Sequence, residues 1–313
     1  MTELVELWRY REVLFNLVRR NLKVRYKNSF LGFTWSLLNP LFQIGVWYFV
    51  FKVIMGNPEQ NYMAQLITGF LPWLFFSQTV LDSTGCVTQE MALVKKAYFP
   101  RSILPLSALL SNLVHLGLAF IVLLTLFAIW GVDVNIHYWL VIPATLLVAV
   151  FAYGLSAMVA AWSVFYADVK FIVGTLLGLW FFLTPVLYSI SGFLARKEMT
   201  GEANWLSNLM QTMLPALKQV YLGDPVTIGI LAYRSGLLYG GGNPLVAQPH
   251  LTAAMTEAER QVEIVRVQAL QAQVQAQYPF WHYVLAAGAI AVLTAVVGHF
   301  IFGRLSRKFA ERG

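Results

Sequence analysis

Long apolar runs, separated by short polar segments, fill most of the chain. A helix needs about 20 apolar residues to cross the hydrocarbon core of a bilayer, and six segments reach roughly that length. They are residues 30–55, 63–81, 103–130, 138–165, 171–191 and 281–302. The pattern predicts an all-α integral membrane protein with six transmembrane helices, the first of them kinked at Pro40.

The charges of the loops predict the orientation of these helices. Lys95, Lys96 and Arg101 lie between the second and third segments, and the tail 304–313 is also basic. The loops that follow the first and third segments carry no Lys or Arg. Lys and Arg accumulate in cytoplasmic loops, so we expect both termini to lie in the cytoplasm.

The first 29 residues precede the first apolar segment. As far as Val18, apolar positions mostly recur at helical spacing between charges, and a basic segment follows up to residue 29. This pattern predicts a cytoplasmic amphipathic interface helix that lies on the inner membrane surface. Packing of the same helix against a soluble partner domain also fits, and both arrangements can hold at once.

The region between the fifth and sixth apolar segments is irregular. Its second apolar stretch begins at Asp224-Pro225, a helix N-cap followed by a first-turn proline. Both stretches are short for a span, so we expect external re-entrant helices shielded by protein or lining a wet cavity; two interfacial helices are the alternative.

After them, Thr256 and Glu259 form a capping box in a polar insert, predicted to be helical, which packs on its own protein or on a partner. The predicted organisation is 1–29 interface helix and basic segment, 30–191 helices one to five, 192–242 re-entrant helices, 243–280 external insert, 281–303 helix six and 304–313 basic tail.

Composition agrees with a membrane protein. The chain is 58% hydrophobic and 12% charged, with a mean hydropathy of +0.63, whereas soluble domains are about a quarter charged. A net charge of +7 could suit nucleic acid, but the cations lie beside apolar segments, as expected at a membrane surface. The single cysteine, Cys86, offers neither an intramolecular disulfide nor a metal cluster.

The sequence contains no catalytic motif. It has no G-x-x-x-x-G-K-[ST] phosphate loop, no H-E-x-x-H zinc motif and no G-x-S-x-G nucleophile elbow. Beyond His115 and His299, the predicted spans are almost free of titratable groups. An ion-coupled flippase needs buried charge, and a membrane glycosyltransferase needs paired acids that the sequence does not offer. We therefore expect the energy to come from a separate ATPase subunit.

Two segments carry a resemblance to a known family. Residues 19–40 read R-R-x-L-K-x-R-Y-K-x-S-x-L-G-x-x-W-x-x-L-x-P, and residues 93–107 read L-V-K-K-x-Y-F-P-R-x-I-L-P-L-S. Both are similar to the membrane (permease) subunit of ATP-binding-cassette exporters for O-antigen, capsule or teichoic-acid polysaccharides. A weaker match is Y-A-D-V-K at 166–170, where Ala167 stands in place of the arginine frequent in the family.

The resemblance implies a homodimer in the bacterial cytoplasmic (inner) membrane with two copies of a nucleotide-binding ATPase subunit. ATP and Mg²⁺ would bind that partner, and this chain would hold no cofactor or metal. The implied substrate is a glycan carried on a polyprenyl diphosphate lipid. An exporter of a drug or small lipid in the same superfamily is the alternative.

The resemblance also implies roles for particular residues. Those expected to couple to the ATPase are Glu90, Lys95, Lys96, Phe99, Arg101 and Asp168. Those expected where the substrate head group enters are Arg19, Arg20, Lys23, Arg25 and Lys27. Six aromatic residues are candidates for the channel lining, and one or two of them are expected to line it: Trp47, Tyr48, Trp180, Phe181, Phe182 and Tyr188. Tyr233 and Arg234 are expected to belong to an external gate.

Overall fold

The computed structural model describes the chain in seven main stretches. These are residues 2–26, 35–56, 62–96, 98–130, 136–188, 219–239 and 279–309, with isolated positions 244, 245, 256–258, 261, 262, 265 and 269. Within them the structure is helical and contains no strand. Most of the predicted insert 243–280 and of the first predicted re-entrant stretch lies outside the described residues, as does Lys27.

Ten α-helices can be followed through these stretches. They are α1 (Thr2–Arg9), α2 (Arg11–Tyr26), α3 (Trp35–Tyr48), α4 (Tyr62–Ser83), α5 (Met91–Lys96), α6 (Ile103–Trp130), α7 (Val141–Ser163), α8 (Val169–Leu183), α9 (Pro225–Leu237) and α10 (Phe280–Ser306). A π-helical segment, Phe49–Ile54, continues α3, and 3₁₀ turns at Thr88–Glu90 and Ile136–Leu140 precede α5 and α7.

Four of the described helices are long and apolar enough to cross a membrane. They are Tyr62–Ser83, Ile103–Ile129, His137–Ser163 and Phe280–Ser306. Two further apolar helices, Leu38–Ile54 and Val169–Leu183, are shorter. The chain is therefore a multi-pass integral membrane protein that is helical throughout its described elements, as its hydrophobic pattern predicts.

The fifth predicted span ends earlier than the sequence suggested. Helix α8 stops at Leu183, and Thr184 is extended, with φ −89° and ψ 150°. Pro185 follows, and a proline disfavours helical dihedrals in the residue before it. A helix of 15 residues measures about 22 Å, which is shorter than a hydrocarbon core of about 30 Å. The predicted continuous helix is therefore wrong at residues 184–188, and its last predicted residues, 189–191, lie outside the described part of the chain.

The core lies around α4 and α9. Helix α4 contacts α3, α6, α7, α8 and α9, and most of its side chains are buried. Helix α9 is buried almost throughout, between α4, α7 and α10. Asp224 caps its first turn by accepting hydrogen bonds from the backbone nitrogens of Val226 and Thr227. Helix α9 thus lies inside the protein and does not present the wet face of an interfacial helix.

The amphipathic N-terminal region forms two helices. Leu17 of α2 is buried against the loop that follows α4 and against the end of α10. Val5, Trp8 and Phe15 remain exposed on the other side. The region thus packs on its own protein through one face and offers a second apolar face outside.

Candidate functional site

An ion pair joins the N-terminal helix to the predicted coupling loop. Arg20 on α2 donates from Nη1 to Oε2 of Glu90 at 2.7 Å, and its Nη2 pairs with Oε1 of the same carboxylate. The side chain of Glu90 is only 10% exposed, while that of Arg20 is 47% exposed. The carboxylate of Glu90 therefore fixes α2 on the loop, and it is not an exposed charge for contact with a partner protein.

The neighbouring lysines of the coupling loop are exposed to solvent. Lys95 and Lys96 end α5 with exposed side chains. Val94 of the same helix is buried in a cluster that includes Leu17, Phe99 and Phe309. Val94 thus holds α5 in place, while the two cations of its last turn are exposed.

Phe99 and Arg101 serve the packing of this loop. Phe99 is 7% exposed, and the guanidinium of Arg101 lies 5.9 Å from the centre of the Phe309 ring. Both residues therefore connect the loop to the end of α10. Asp168, the other residue predicted to couple, precedes α8 and is exposed.

The predicted head-group cations fall into two groups. Arg19 and Lys23 are exposed on α2. Arg20 is held by Glu90, and Arg25 is held by Asp82 at the end of α4. Two of the four described cations are therefore paired with a carboxylate of the same chain.

Arg25 belongs to a network of three side chains. Its Nη1 donates to Oδ1 of Asn112 at 3.1 Å, and Nδ2 of Asn112 donates to Oδ2 of Asp82 at 2.8 Å. An ion pair between Arg25 and Asp82 closes the triangle. Asp82 and Asn112 were not predicted as partners of Arg25; the available signal was an acid at the end of an apolar helix that is expected on the same side of the membrane as the basic segment.

The predicted lining aromatics form part of a ring cluster in the helix bundle. Trp47 stacks on Phe181 with ring centres 5.0 Å apart, and Trp180 meets Phe76 edge-on at 5.4 Å. Tyr48 packs beside Tyr62. These contacts place four of the six predicted rings against other core side chains.

The remaining two predicted lining residues differ. The side chain of Phe182 is 67% exposed. Tyr188 lies in the turn after α8, and its hydroxyl accepts a hydrogen bond from Tyr221 at 3.1 Å. Phe182 is therefore the most exposed of the six predicted lining rings.

Arg234 ties three separated segments together. Its Nη2 donates to the carbonyl oxygens of Gln65 at 3.2 Å and of Val186 at 3.1 Å, and its Nη1 donates to that of Tyr188 at 3.2 Å. Arg234 is 2% exposed, and Gly69 leaves room for it, because a Cβ there would stand 3.1 Å from Nη2. The guanidinium thus holds α9, α4 and the turn after α8 in one arrangement.

Two buried atoms beside this junction have no hydrogen-bond partner in the described part of the chain. They are Nε of Arg234 and Oε1 of Gln65. Tyr233, the other predicted gate residue, is 1% exposed and shares a hydrogen bond with the hydroxyl of Thr145 on α7. Tyr233 and Arg234 therefore anchor α9 on opposite neighbours, a relationship that sequence spacing cannot reveal.

Comparisons with known proteins identify relatives for most of this architecture. A family described as ABC-2 type transporter matches residues 12–217. The O-antigen export system permease protein RfbA of Myxococcus xanthus is 37% identical over 186 residues, which make up 59% of this chain and 72% of that protein. Two RfbA permeases of Klebsiella pneumoniae are each 31% identical, one over 179 residues (57% of this chain, 69% of the relative) and one over 226 residues (71% and 83%).

Proposed function

The chain belongs to the ABC-2 type transporter family, and we propose that it is the permease subunit of an ATP-driven exporter of O-antigen-type polysaccharide. The observation that carries this proposal is the 37% identity to an O-antigen export permease across 72% of that relative's length. The absence of a phosphate-loop motif from the sequence fits a non-catalytic permease subunit. ATP and Mg²⁺ would then be bound by a separate ATPase.

The proposed layout has six spans in the bacterial inner membrane. Four are the long apolar helices, and the other two are the shorter helices Leu38–Ile54 and Val169–Leu183. Local thinning of the bilayer, with the ends of the short helices shielded by neighbouring helices, would accommodate the shorter two. Lys95, Lys96 and the basic tail support cytoplasmic termini through the positive-inside bias.

The proposed docking surface for the ATPase is the exposed side of α5. Lys95 and Lys96 supply its charge, and the Arg20–Glu90 pair passes any displacement of the loop to α2. Asp168 at the start of α8 is a second exposed contact point on the same proposed side of the membrane. Two copies of the chain would form a homodimer above two ATPase subunits.

The proposed substrate path starts at the exposed cations of α2. A polyprenyl diphosphate head would bind Arg19 and Lys23 at the membrane surface, with the paired Arg20 and Arg25 holding α2 in place. The glycan would pass along aromatic faces of α3 and α8, where Phe182 is exposed and Trp47 and Trp180 lie behind it. Sugars stack on such rings through their apolar faces.

The proposed outer gate is α9 together with the turn after α8. Short helices inside a membrane protein must be shielded by other chain segments, and the burial of α9 on nearly every side supports a re-entrant position. Arg234 would hold the closed state through its three carbonyl partners.

Lipid extraction from a strain that lacks the chain tests the function. We expect a polyprenyl-linked glycan to accumulate on the cytoplasmic face, where mass spectrometry identifies it, and surface polysaccharide to fall. If no glycan accumulates and the surface polysaccharide is unchanged, the polysaccharide assignment fails. Export of a drug or small lipid then becomes the better proposal.

Co-purification tests the docking surface separately. Replacing Lys95 and Lys96 by Ala should reduce recovery of the ATPase subunit with the tagged permease, while the thermal stability of the permease changes by less than about 0.5 kcal/mol, since both side chains are exposed. Replacing the exposed cation Arg307 at the end of α10 is the matched control. Full ATPase recovery with the double variant would exclude the lysines as docking residues.

A further inference from the structure

A cavity of about 460 Å³ opens beside the network of Arg25, Asp82 and Asn112. Its walls come from the end of α2, from α3, from α4 and from α6. The size is within the range of a small-molecule pocket. Neither Phe181, Phe182 nor Trp180 lines it, although Phe75 of the same hydrophobic cluster does, so it is distinct from the aromatic path proposed above.

The polar end of the cavity is rigid. Asn112 is 2% exposed, and its Nδ2 donates both to Oδ2 of Asp82 at 2.8 Å and to the carbonyl oxygen of Ala108 at 3.1 Å. Its Oδ1 accepts from Arg25 at 3.1 Å. Asn112 therefore holds a cation and an anion side by side, each about one-third exposed at the side chain.

Apolar side chains form much of the remaining lining, together with the polar side chains of Asn39, Gln78 and His115. The side chains of Leu71, Leu74 and Phe75 on α4 face those of Leu116 and Ala119 on α6. A pocket with one charged end and one hydrocarbon-lined end matches an amphiphile. The charged end lies at the last turn of α4, next to the basic helix α2, which is the level of the inner-leaflet head groups in the proposed orientation.

The charges at the mouth discriminate between kinds of head group. The charges of Arg25 and Asp82 sum to zero. The guanidinium would attract a diphosphate or another purely anionic head, and the carboxylate would repel it. A zwitterion that carries a phosphate and a primary ammonium satisfies both partners with charge-assisted hydrogen bonds. A quaternary ammonium has no N–H to donate to Asp82.

We infer that this cavity binds a zwitterionic phospholipid of the phosphatidylethanolamine type. Its phosphate lies at Arg25, its ammonium lies at Asp82, and part of one acyl chain lies along the wall formed by Leu71, Phe75 and Leu116. The lipid binds between α2, α4 and α6, so it fastens the N-terminal helix to the bundle. This site goes beyond the proposed polysaccharide substrate and requires only that the chain is embedded in a membrane.

Native mass spectrometry on the full-length chain in detergent tests the inference. The probes are dioleoyl phosphatidylethanolamine, dioleoyl phosphatidylcholine, dioleoyl phosphatidylglycerol and farnesyl diphosphate, each added separately. We expect the ethanolamine lipid to bind at least about tenfold more tightly than the choline lipid, which is the order of one charge-assisted hydrogen bond. We expect the Asp82→Asn variant to lose that preference while it keeps binding the glycerol lipid.

A second variant tests the apolar end without touching a charge. Ala119→Phe places a ring in the cavity and should weaken the ethanolamine lipid about tenfold. Ala128→Phe adds the same ring at an exposed position of the same helix and should leave binding unchanged. Elution volume and the thermal unfolding midpoint identify any variant that has lost its fold.

Three results would overturn the inference. Tighter binding of phosphatidylglycerol or farnesyl diphosphate than of phosphatidylethanolamine to the unaltered chain would assign the cavity to an anionic head. A preference for the ethanolamine lipid over the choline lipid that persists in Asp82→Asn would exclude the carboxylate as the partner of the ammonium. Unchanged lipid binding in Ala119→Phe excludes the cavity, whatever the outcome of the export experiment.

Discussion

Gly154 of α7 and Gly298 of α10 touch backbone to backbone. A Cβ built on Gly298 would overlap the carbonyl oxygen of Gly154, and one built on Gly154 would overlap the backbone of Thr294. Small residues allow helices in a membrane to approach closely, and the contact then depends on van der Waals packing. This close contact holds α10 against α7.

Substitution at the glycine crossing should destabilise the protein. We expect Gly298→Ala to lower the free energy of unfolding by about 1–3 kcal/mol, because the helices must separate to admit the methyl group. Gly303→Ala is the control on the same helix, since nothing lies within 4 Å of its added Cβ. Thermal unfolding of the detergent-solubilised chain measures both, and an equal midpoint for the two variants would refute the close contact.

The Arg20–Glu90 pair should be required for coupling. Glu90→Arg alone leaves two cations facing each other in a largely buried place, and we expect a loss of stability of about 1 kcal/mol or somewhat more, since Arg20 is half-exposed. Polysaccharide-dependent ATPase activity should fall with it. The double variant Arg20→Glu, Glu90→Arg restores opposite charges and should recover both quantities in part.

The control for this pair is Arg19→Glu, which changes the same charge at an exposed neighbouring position. It should leave the stability of the permease nearly unchanged. Failure of the double variant to exceed Glu90→Arg in both stability and coupled ATPase activity would show that the pair is not the link between α2 and the coupling loop.

Arg234 should be replaceable by neither Lys nor Met. A lysine carries one compact ammonium and cannot reproduce the forked geometry that reaches Gln65, Val186 and Tyr188. A methionine leaves all three carbonyl oxygens without this donor. We expect a loss of roughly 2–4 kcal/mol for Arg234→Met and a smaller loss for Arg234→Lys.

Thermal unfolding measures the stability of these variants, and surface polysaccharide measures export. Arg307→Met removes an exposed arginine near the end of α10 and serves as the control. If Arg234→Met is as stable as this control, the buried carbonyl contacts do not hold the outer segments together. If Arg234→Met is unstable and Arg234→Lys is stable but inactive in export, the junction matters for gating as well.

The sequence predicted the long helices well because hydrocarbon thickness sets a length that apolar runs must meet. It also contained the signal for the early end of α8, since Pro185 restricts Thr184. The Arg25–Asp82 and Arg20–Glu90 pairs join positions 57 and 70 residues apart. No periodicity in the sequence encodes such partners. Arg20 was therefore predicted as a head-group cation and Glu90 as a docking charge, and the ion pair between them was not predicted.

Cysteine labelling tests the orientation, which rests on loop charges. Burial raises the pKa of the Cys86 thiol, so at neutral pH it holds its proton and should react slowly with a maleimide. Its thiolate fraction should still be rising tenfold per pH unit at pH 9, where an exposed thiol begins to level off. Cys86→Ser therefore removes a weak background and provides the parent for single-cysteine variants.

Two exposed positions on opposite ends of the bundle decide the orientation. Tyr98 follows α5 and is 89% exposed, while Trp139 precedes α7 and is 54% exposed. In the Cys86→Ser parent, we expect a membrane-impermeant maleimide to label Tyr98→Cys in inverted vesicles only and Trp139→Cys in right-side-out vesicles only, because Lys95 and Lys96 hold the loop that contains Tyr98 in the cytoplasm. The reverse labelling pattern would show the opposite orientation in the membrane, in which α5 lies outside the cytoplasm and beyond the reach of a cytoplasmic ATPase.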